Sequence, residues 1–467
     1  MAMEISSGWD LVILGSGPGG EAAAMRAVKG GLRVALVDKE AGIGGSCTHL
    51  GTIPSKALRH QIRQLVRHHR NPLLHGIIDA PQVQWQQLVA RSMEVVNAQV
   101  SVRLGHYSRN RVRLFPGFGR LDGPGRVLVE GEDGRQHLLE TRNVLIATGS
   151  RPYRPDDVDF SHPRVYDSDS LLSMTHTPRH LVIYGAGVIG CEYASIFAGL
   201  GVRVDLVNTR QHLLDFLDTE ITDALSYHLR EQGATIRHGE SYARVSADAH
   251  GVTLELDSGK TIRADALLWS NGRTGNTQQI GLETVGLEAD GRGLLRVDDS
   301  YRTDVDGIYA VGDVIGWPSL ASAAYDQGRF CAAGLCGGEH KRVTDVPTGI
   351  YTIPGISSVG HSEQELTAQK IPYEVGQAFF RNLARAQITG EQTGMLKLLF
   401  HRETRALLGI HCFGYQATEI VHVGQAIMRQ PAPNNTIDYF VETTFNYPTM
   451  AEAYRMAAIN GINRITR

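Results

Sequence analysis

Two glycine clusters of identical spacing, Gly15-Ser16-Gly17-Pro18-Gly19-Gly20 and Gly185-Ala186-Gly187-Val188-Ile189-Gly190, are the residues of this chain best suited to hold a phosphorylated ligand. In a Gly-x-Gly-x-x-Gly turn the first glycine allows a tight bend and the second lets the backbone approach a pyrophosphate. The third lets the following helix pack on its strand, and the helix N-terminus attracts the phosphate charge. One copy could be a glycine-rich turn and nothing more, but two copies, each framed by a strand and a helix, imply two dinucleotide sites. Asp38, at the end of the next strand after the first cluster, can accept hydrogen bonds from an adenosine ribose. The matching position after the second cluster holds the neutral Asn208, with Arg210 close behind. A carboxylate there selects NAD, and a nearby arginine accommodates the 2′-phosphate of NADP. The second site is therefore expected to take both coenzymes, with Arg210 reaching the phosphate. Asp205 lies within the strand and is not counted as the selector.

These turns need a strand before them and a helix and second strand after them, and the chain supplies both sets. The first unit reads Leu11–Leu14, an Ala-rich helix ending near Gly30-Gly31, then Arg33–Asp38; the second reads Leu181–Tyr184, a helix ending near Gly199, then Val202–Asn208. A length of 467 residues exceeds one ordinary core, so two or three domains are expected. The Pro-rich Arg151-Pro152-Tyr153-Arg154-Pro155 marks a crossing between them. The divisions expected are 1–150 and 277–345 for the first dinucleotide domain, 151–276 for the second, and 346–467 for a β-rich C-terminal domain. There, Leu396–Phe400 and Leu407–His411, separated by Glu403-Thr404-Arg405, predict an antiparallel hairpin. The fold class is α/β, with two Rossmann-like dinucleotide-binding domains plus a C-terminal α+β domain. A net charge of -3 leaves no electrostatic footprint for nucleic acid or anionic membrane, and no apolar run approaches the ~18 residues of a membrane span. The first strand begins almost at once, so no secretory leader is expected. Five scattered cysteines suit a reducing cytoplasm. The histidines, His49 and His411 among them, lack ligand spacing, so no metal is expected.

The segment Gly44-Gly45-Ser46-Cys47-Thr48-His49-Leu50-Gly51-Thr52-Ile53-Pro54-Ser55-Lys56 resembles the redox-active stretch of the flavin disulfide reductases, a resemblance that extends over nearly the whole chain. In that family two cysteines form a dithiol beside the flavin. Cys47 matches the first, but Thr52 stands at the second, and a hydroxyl cannot close a disulfide. The resemblance implies one non-covalent FAD per subunit in the first site, held by Gly15, Gly17, Gly20 and Asp38. It adds Thr148-Gly149, the Thr303–Asp313 segment, with Asp313 on the ribityl chain, and Ala321. NAD(H) and NADP(H) would occupy the second site, formed by Gly185, Gly187, Gly190, Glu192, Asn208, Arg210 and Gly272. Lys56 and Glu192 would pair beside flavin N5, Lys56 favouring negative charge on the reduced ring. Cys47 would touch the flavin as a charge donor if a helix end lowers its pKa, or as an inert packing residue. Cys191 and Cys412 are expected to be buried small hydrophobes. The family's C-terminal domain dimerises and supplies a His-Pro-Thr segment followed by a glutamate; here Phe445-Asn446-Tyr447-Pro448-Thr449-Met450-Ala451-Glu452 keeps Glu452 but has Tyr447 for the histidine. A phenol is a poor proton shuttle at neutral pH.

With the thiol relay lost at two places and the nicotinamide and flavin machinery retained, the expected reaction is hydride exchange, NADPH + NAD⁺ ⇌ NADP⁺ + NADH, in a cytoplasmic, self-associating enzyme without nucleic-acid or membrane partners. Two rivals are a reductase of a quinone, metal ion or dye, and a non-catalytic flavoprotein that binds nicotinamide. Retention of both Lys56 and Glu192 disfavours the second.

Overall fold

In the computed structural model, which describes residues 4–39, 42–71 and 83–465, the two glycine clusters stand at equivalent places after parallel strands of two sheets. The strand Glu4–Leu14 runs parallel to Val34–Asp38 on one side and to Gln136–Ile146 on the other, with Leu11 opposite Val34 and Asn143. Its final four residues, Leu11 to Leu14, are buried on both faces, as a central strand covered on both sides by other elements requires. Arg113–Pro116 extends this sheet at one edge, and the antiparallel pair Arg126–Glu130 and Phe118–Leu121 at the other. The chain leaves and later returns, since Ile308–Ala310 pairs parallel with Gln136–Ile146.

The second sheet is wholly parallel, in the order Thr235–His238, Arg203–Asn208, His180–Tyr184, Ala266–Trp269, Val165–Asp167. A three-stranded antiparallel sheet (Tyr242–Asp248, Gly251–Leu256, Thr261–Ala264) packs against it around Trp269, which stacks on Tyr184 with ring centroids 4.6 Å apart. Between these two larger sheets the backbone is tied by a short antiparallel ribbon, Ser150–Pro152 against Arg273–Gly275. The C-terminal region is a five-stranded antiparallel sheet carrying the predicted hairpin, with Gly394–His401 paired to Leu407–Gly414 and Leu398 opposite Ile410. Arg405 makes the turn in a left-handed conformation, φ 58°. The helices Ala417–Met428 and Glu452–Ile465 cover this sheet and share its apolar core. Among the described residues no helix is long and apolar enough to cross a membrane.

Candidate active site

Both glycine turns close as their residue types demand. Gly15 and Gly185 adopt φ of +103° and +106°, and a Cβ on Gly20 or Gly190 would lie 1.9 Å from the carbonyl oxygen of Gly15 or Gly185. Only glycine permits the helices Pro18–Lys29 and Val188–Gly199 to pack this tightly on their own turns. The middle glycines behave differently, because a Cβ on Gly17 or Gly187 would meet nothing within 4 Å. Open space thus lies in front of each helix N-terminus, where unpaired N–H groups and the helix dipole favour a phosphate.

The first turn carries further features that fit FAD. Asp38 Oδ2 accepts from the N–H (2.7 Å) and hydroxyl of Ser16, and Ser16 Oγ accepts from the Gly44 N–H at 2.8 Å. This chain of bonds docks the Cys47 segment on the glycine turn, where a Cβ on Gly45 would meet Gly17 Cα at 2.9 Å. The hydroxyls of Thr48 and Thr148 are buried without a hydrogen-bond partner. Buried polar groups are ordinarily satisfied, so two orphan hydroxyls beside an open phosphate cradle suit a polar ligand there. Asp313 Oδ2 accepts from Ser150 Oγ at 2.7 Å, and Arg273 braces Ser150 through its hydroxyl (2.7 Å) and carbonyl (2.8 Å). Ala321 opens the helix Ala321–Leu335, and Gly149 adopts φ +71°.

Lys56 and Glu192, far apart in sequence, meet. Lys56 Nζ lies 2.9 and 2.7 Å from the two carboxylate oxygens of Glu192, whose side chain is 5% exposed against 25% for the lysine. Lys56 projects from the helix Thr52–Arg70. Glu192 sits one turn inside the helix Val188–Gly199 rather than at its opening, because the helix begins directly at the glycine turn. Tyr351 completes the pair, its N–H donating to Glu192 Oε1 at 2.8 Å and its ring lying 4.9 Å beneath the ammonium. Arg59 Nε donates to the next carbonyl, Thr352 O, at 2.8 Å. The glutamate is therefore held from two domains, paired with Lys56 and close enough to Arg59 for their charges to interact.

Cys47 stands in the short helix Gly45–His49 with Thr52 as its hydrogen-bonding neighbour. Burial pushes its thiol above the ordinary cysteine range, outweighing the Thr52 hydrogen bond and the charges of Arg103 and Lys56. A thiolate favoured by a helix end is not what this environment creates. All five cysteines are free, with Cys191 and Cys412 fully buried.

At the second site Asn208 is buried and its carboxamide is spent on the loop that follows. Nδ2 donates to His212 O at 2.8 Å and lies 3.2 Å from His238 Nδ1, while Oδ1 accepts from the Arg210 N–H at 3.3 Å. Burial, then the charges of Arg230 and His212, holds His238 below the usual histidine range. The Arg210 guanidinium is exposed and pairs with Asp215. Asp205 is buried on its strand between His180 (2.8 Å) and Arg237 (2.9 Å), away from the strand end. Gly272 has φ +103°, and a Cβ there would make an ordinary contact with Tyr153 Cβ at 3.9 Å. Tyr447 precedes a cis proline and is 68% exposed, and Glu452 opens the last helix.

Ser150 closes the Ala147–Ser150 segment that resembles an FAD-contacting motif, whereas Tyr351, Arg273 and Asp215 were not legible as site residues. Each of these three acts through a contact across domains or loops, and only their nearness in sequence to quoted motifs could have drawn notice.

Residues 9–328 match the pyridine nucleotide-disulphide oxidoreductase family and residues 346–458 its dimerisation domain. The chain is 59% identical over 460 residues to the soluble pyridine nucleotide transhydrogenase of Marinomonas sp. (strain MWYL1), covering 98% of this chain and 99% of that one. It is 59% identical over 458 residues to the protein of the same name from Azotobacter vinelandii, at the same coverage. Among solved structures, LpdA from Mycobacterium tuberculosis aligns with a TM-score of 0.89 at 26% identity, over 97% of this chain and 99% of that one. The HOCl-induced flavoprotein disulfide reductase RclA from Escherichia coli, as its Cu(II) complex, aligns with a TM-score of 0.87 at 26% identity and the same coverage.

Proposed function

The chain belongs to the pyridine nucleotide-disulphide oxidoreductase family, and from that premise we propose that it catalyses NADPH + NAD⁺ ⇌ NADP⁺ + NADH with FAD, one nicotinamide site serving donor and acceptor in turn. The observation that carries this reading is a contrast within a few residues. The Lys56–Glu192 pair is assembled and braced by Tyr351, while the thiol of Cys47 faces the hydroxyl of Thr52 where a second sulfur would be needed. Bound FAD supplies the chemistry of accepting a hydride from one nicotinamide and returning it to another. Gly17, Asp38, Thr48, Thr148 and Asp313 would hold it. Lys56 contributes a positive charge that favours electron density arriving near it, and Glu192 fixes that charge in place. Gly187 and the helix behind it would take the coenzyme pyrophosphate, with Asn208 setting the loop that presents Arg210.

The domain divisions at 150, 276 and 345 belong to the same proposal, supported by the return of Ile308–Ala310 to the first sheet and the ribbon at Ser150–Pro152. So does assembly as a homodimer or larger homo-oligomer, supported by the dimerisation-domain match and by exposed Tyr439, Val441, Tyr447, Met456 and Ile459 on and beside the last two helices. A cytoplasmic setting suits five free thiols.

Steady-state transfer from NADPH to thio-NAD⁺, a distinguishable acceptor, tests the reaction. Parallel double-reciprocal lines are expected, since the first product must leave before the second coenzyme binds. Intersecting lines, or turnover of glutathione disulfide or lipoamide at a comparable rate, would refute it.

A further inference from the structure

Arg210 lies in the crevice at the carboxyl ends of Arg203–Asn208 and Thr235–His238, where a nucleotide binds in a parallel sheet. Its backbone is fixed: Gly239 N–H donates to Arg210 O at 3.1 Å, Asn208 Oδ1 accepts from the Arg210 N–H, and farther along the loop Leu214 N–H donates to Ala186 O in the glycine turn at 3.4 Å. Its guanidinium is not idle. It is paired with Asp215, five residues on in the same loop, and the two side chains are 66% and 42% exposed.

We infer that Asp215 is a specificity-determining residue, an internal stand-in that keeps Arg210 paired when the coenzyme carries a ribose hydroxyl and yields it when the coenzyme carries a 2′-phosphate. This rests on the two-coenzyme reading above. An exposed ion pair is weak, whereas a phosphate offers a guanidinium shorter, charge-assisted and bidentate contacts, so the exchange runs toward the phosphate. With NAD(H) bound, Arg210 still has an anion and loses nothing. Asp215 thereby trims the advantage that an unpaired arginine would give NADP(H) and narrows the gap between the two affinities. An enzyme that binds and releases both coenzymes in every cycle gains from that narrowing, because a product held much more tightly than its successor would hold the site.

The test measures binding of NADP⁺ and NAD⁺ to the FAD-loaded protein from the change in flavin absorbance. It is run at about 0.15 M salt, where exposed charges are screened beyond ~8 Å. Asp215→Asn should tighten NADP⁺ by roughly three- to fivefold and leave NAD⁺ within about twofold. In the Arg210→Ala background the same change should gain less than about twofold, since no guanidinium remains to be released. The inference is overturned if Asp215→Asn leaves NADP⁺ unchanged, shifts both coenzymes equally, or gains as much without Arg210 as with it. Arg210→Ala alone separates the two levels of the argument. If it leaves NADP⁺ affinity intact, the phosphate is read elsewhere and the underlying coenzyme reading fails with the role of Asp215. If it weakens NADP⁺ selectively while Asp215→Asn does nothing, only the role of Asp215 is lost.

Discussion

Cys47 and Lys56 are neighbours in the same segment with opposite expected importance. The Cys47 thiol is half-buried, held protonated by the desolvation that brings, and faces a hydroxyl, so Cys47→Ser should retain transhydrogenase activity within about tenfold, ~1.4 kcal/mol of barrier. Lys56 offers the charge that pairs with the nearly buried Glu192. Removing a preorganised electrostatic group of this kind costs on the order of 10²–10³ in turnover, and Lys56→Ala should fall in that range. Flavin content, read from the visible spectrum, separates lost chemistry from lost cofactor. If Cys47→Ser abolishes turnover while keeping its FAD, the thiol is essential and a hydride-only route is wrong.

Each strand–turn–helix unit is built around a contact that excludes a side chain, and this makes the two sites separable. Because a Cβ on Gly20 or Gly190 would be driven into the carbonyl oxygen of Gly15 or Gly185, alanine at either position must shift the helix N-terminus that would face the phosphate. Gly20→Ala should yield protein depleted of FAD. Gly190→Ala should bind FAD normally and lose affinity for both NAD⁺ and NADP⁺. Loss of NADP⁺ alone in Gly190→Ala would show that the turn does not hold the shared pyrophosphate. The same elements explain why Glu192 is well placed, since one helical turn beyond Gly187 carries it from the phosphate cradle to the lysine of the other unit.

Across the whole molecule, the helix Thr219–Glu231 beside the second parallel sheet is joined to the C-terminal sheet by a buried cation. Lys397, fully buried on Gly394–His401, pairs with Asp218 at 2.8 Å, with Glu220 at 3.0 Å and with Glu363. Asp218 caps the helix Thr219–Glu231 and also accepts from the Glu363 N–H at 3.2 Å. Among the described residues these three carboxylates are the one cluster with metal-ligand proximity, and the ammonium of Lys397 already sits among them. Burial alone would raise the Asp218 carboxyl, but His411, Lys397 and the Glu363 N–H together carry it below the usual range. A carboxyl with a depressed folded-state value contributes stability above its unfolded value near ~4, and that stability is lost as pH falls through the depressed value. Asp218→Asn should therefore lower the melting temperature at neutral pH, and the deficit relative to the parent should shrink below about pH 4. A deficit that stays constant down to pH 3 would mean that the carboxylate charge is not what joins the domains. Lys397→Ala, which strands the buried Asp218 carboxylate, should cost about 3–5 kcal/mol in denaturant unfolding.

What the chain determined by itself was local: two glycine spacings, the strands and helices that frame them, the C-terminal hairpin, and the absence of a second sulfur at Thr52. These are readable because turn sterics and apolar periodicity act over a few neighbouring residues. Lys56 and Glu192 were named through family resemblance, but nothing in their spacing required them to touch. Their meeting, with Tyr351 arriving from the C-terminal sheet, comes from how the domains pack. The same holds for Arg273 bracing Ser150, which in turn donates to Asp313, for Asn208 spending its amide on its own loop, and for Arg210 being held by Asp215. Asn208 and Arg210 show the division most clearly. Their types announced a site without a carboxylate selector, yet the direction and pairing of each side chain were settled only when the loop closed against His238 and the glycine turn, because a side chain takes whichever partner the folded backbone places nearest.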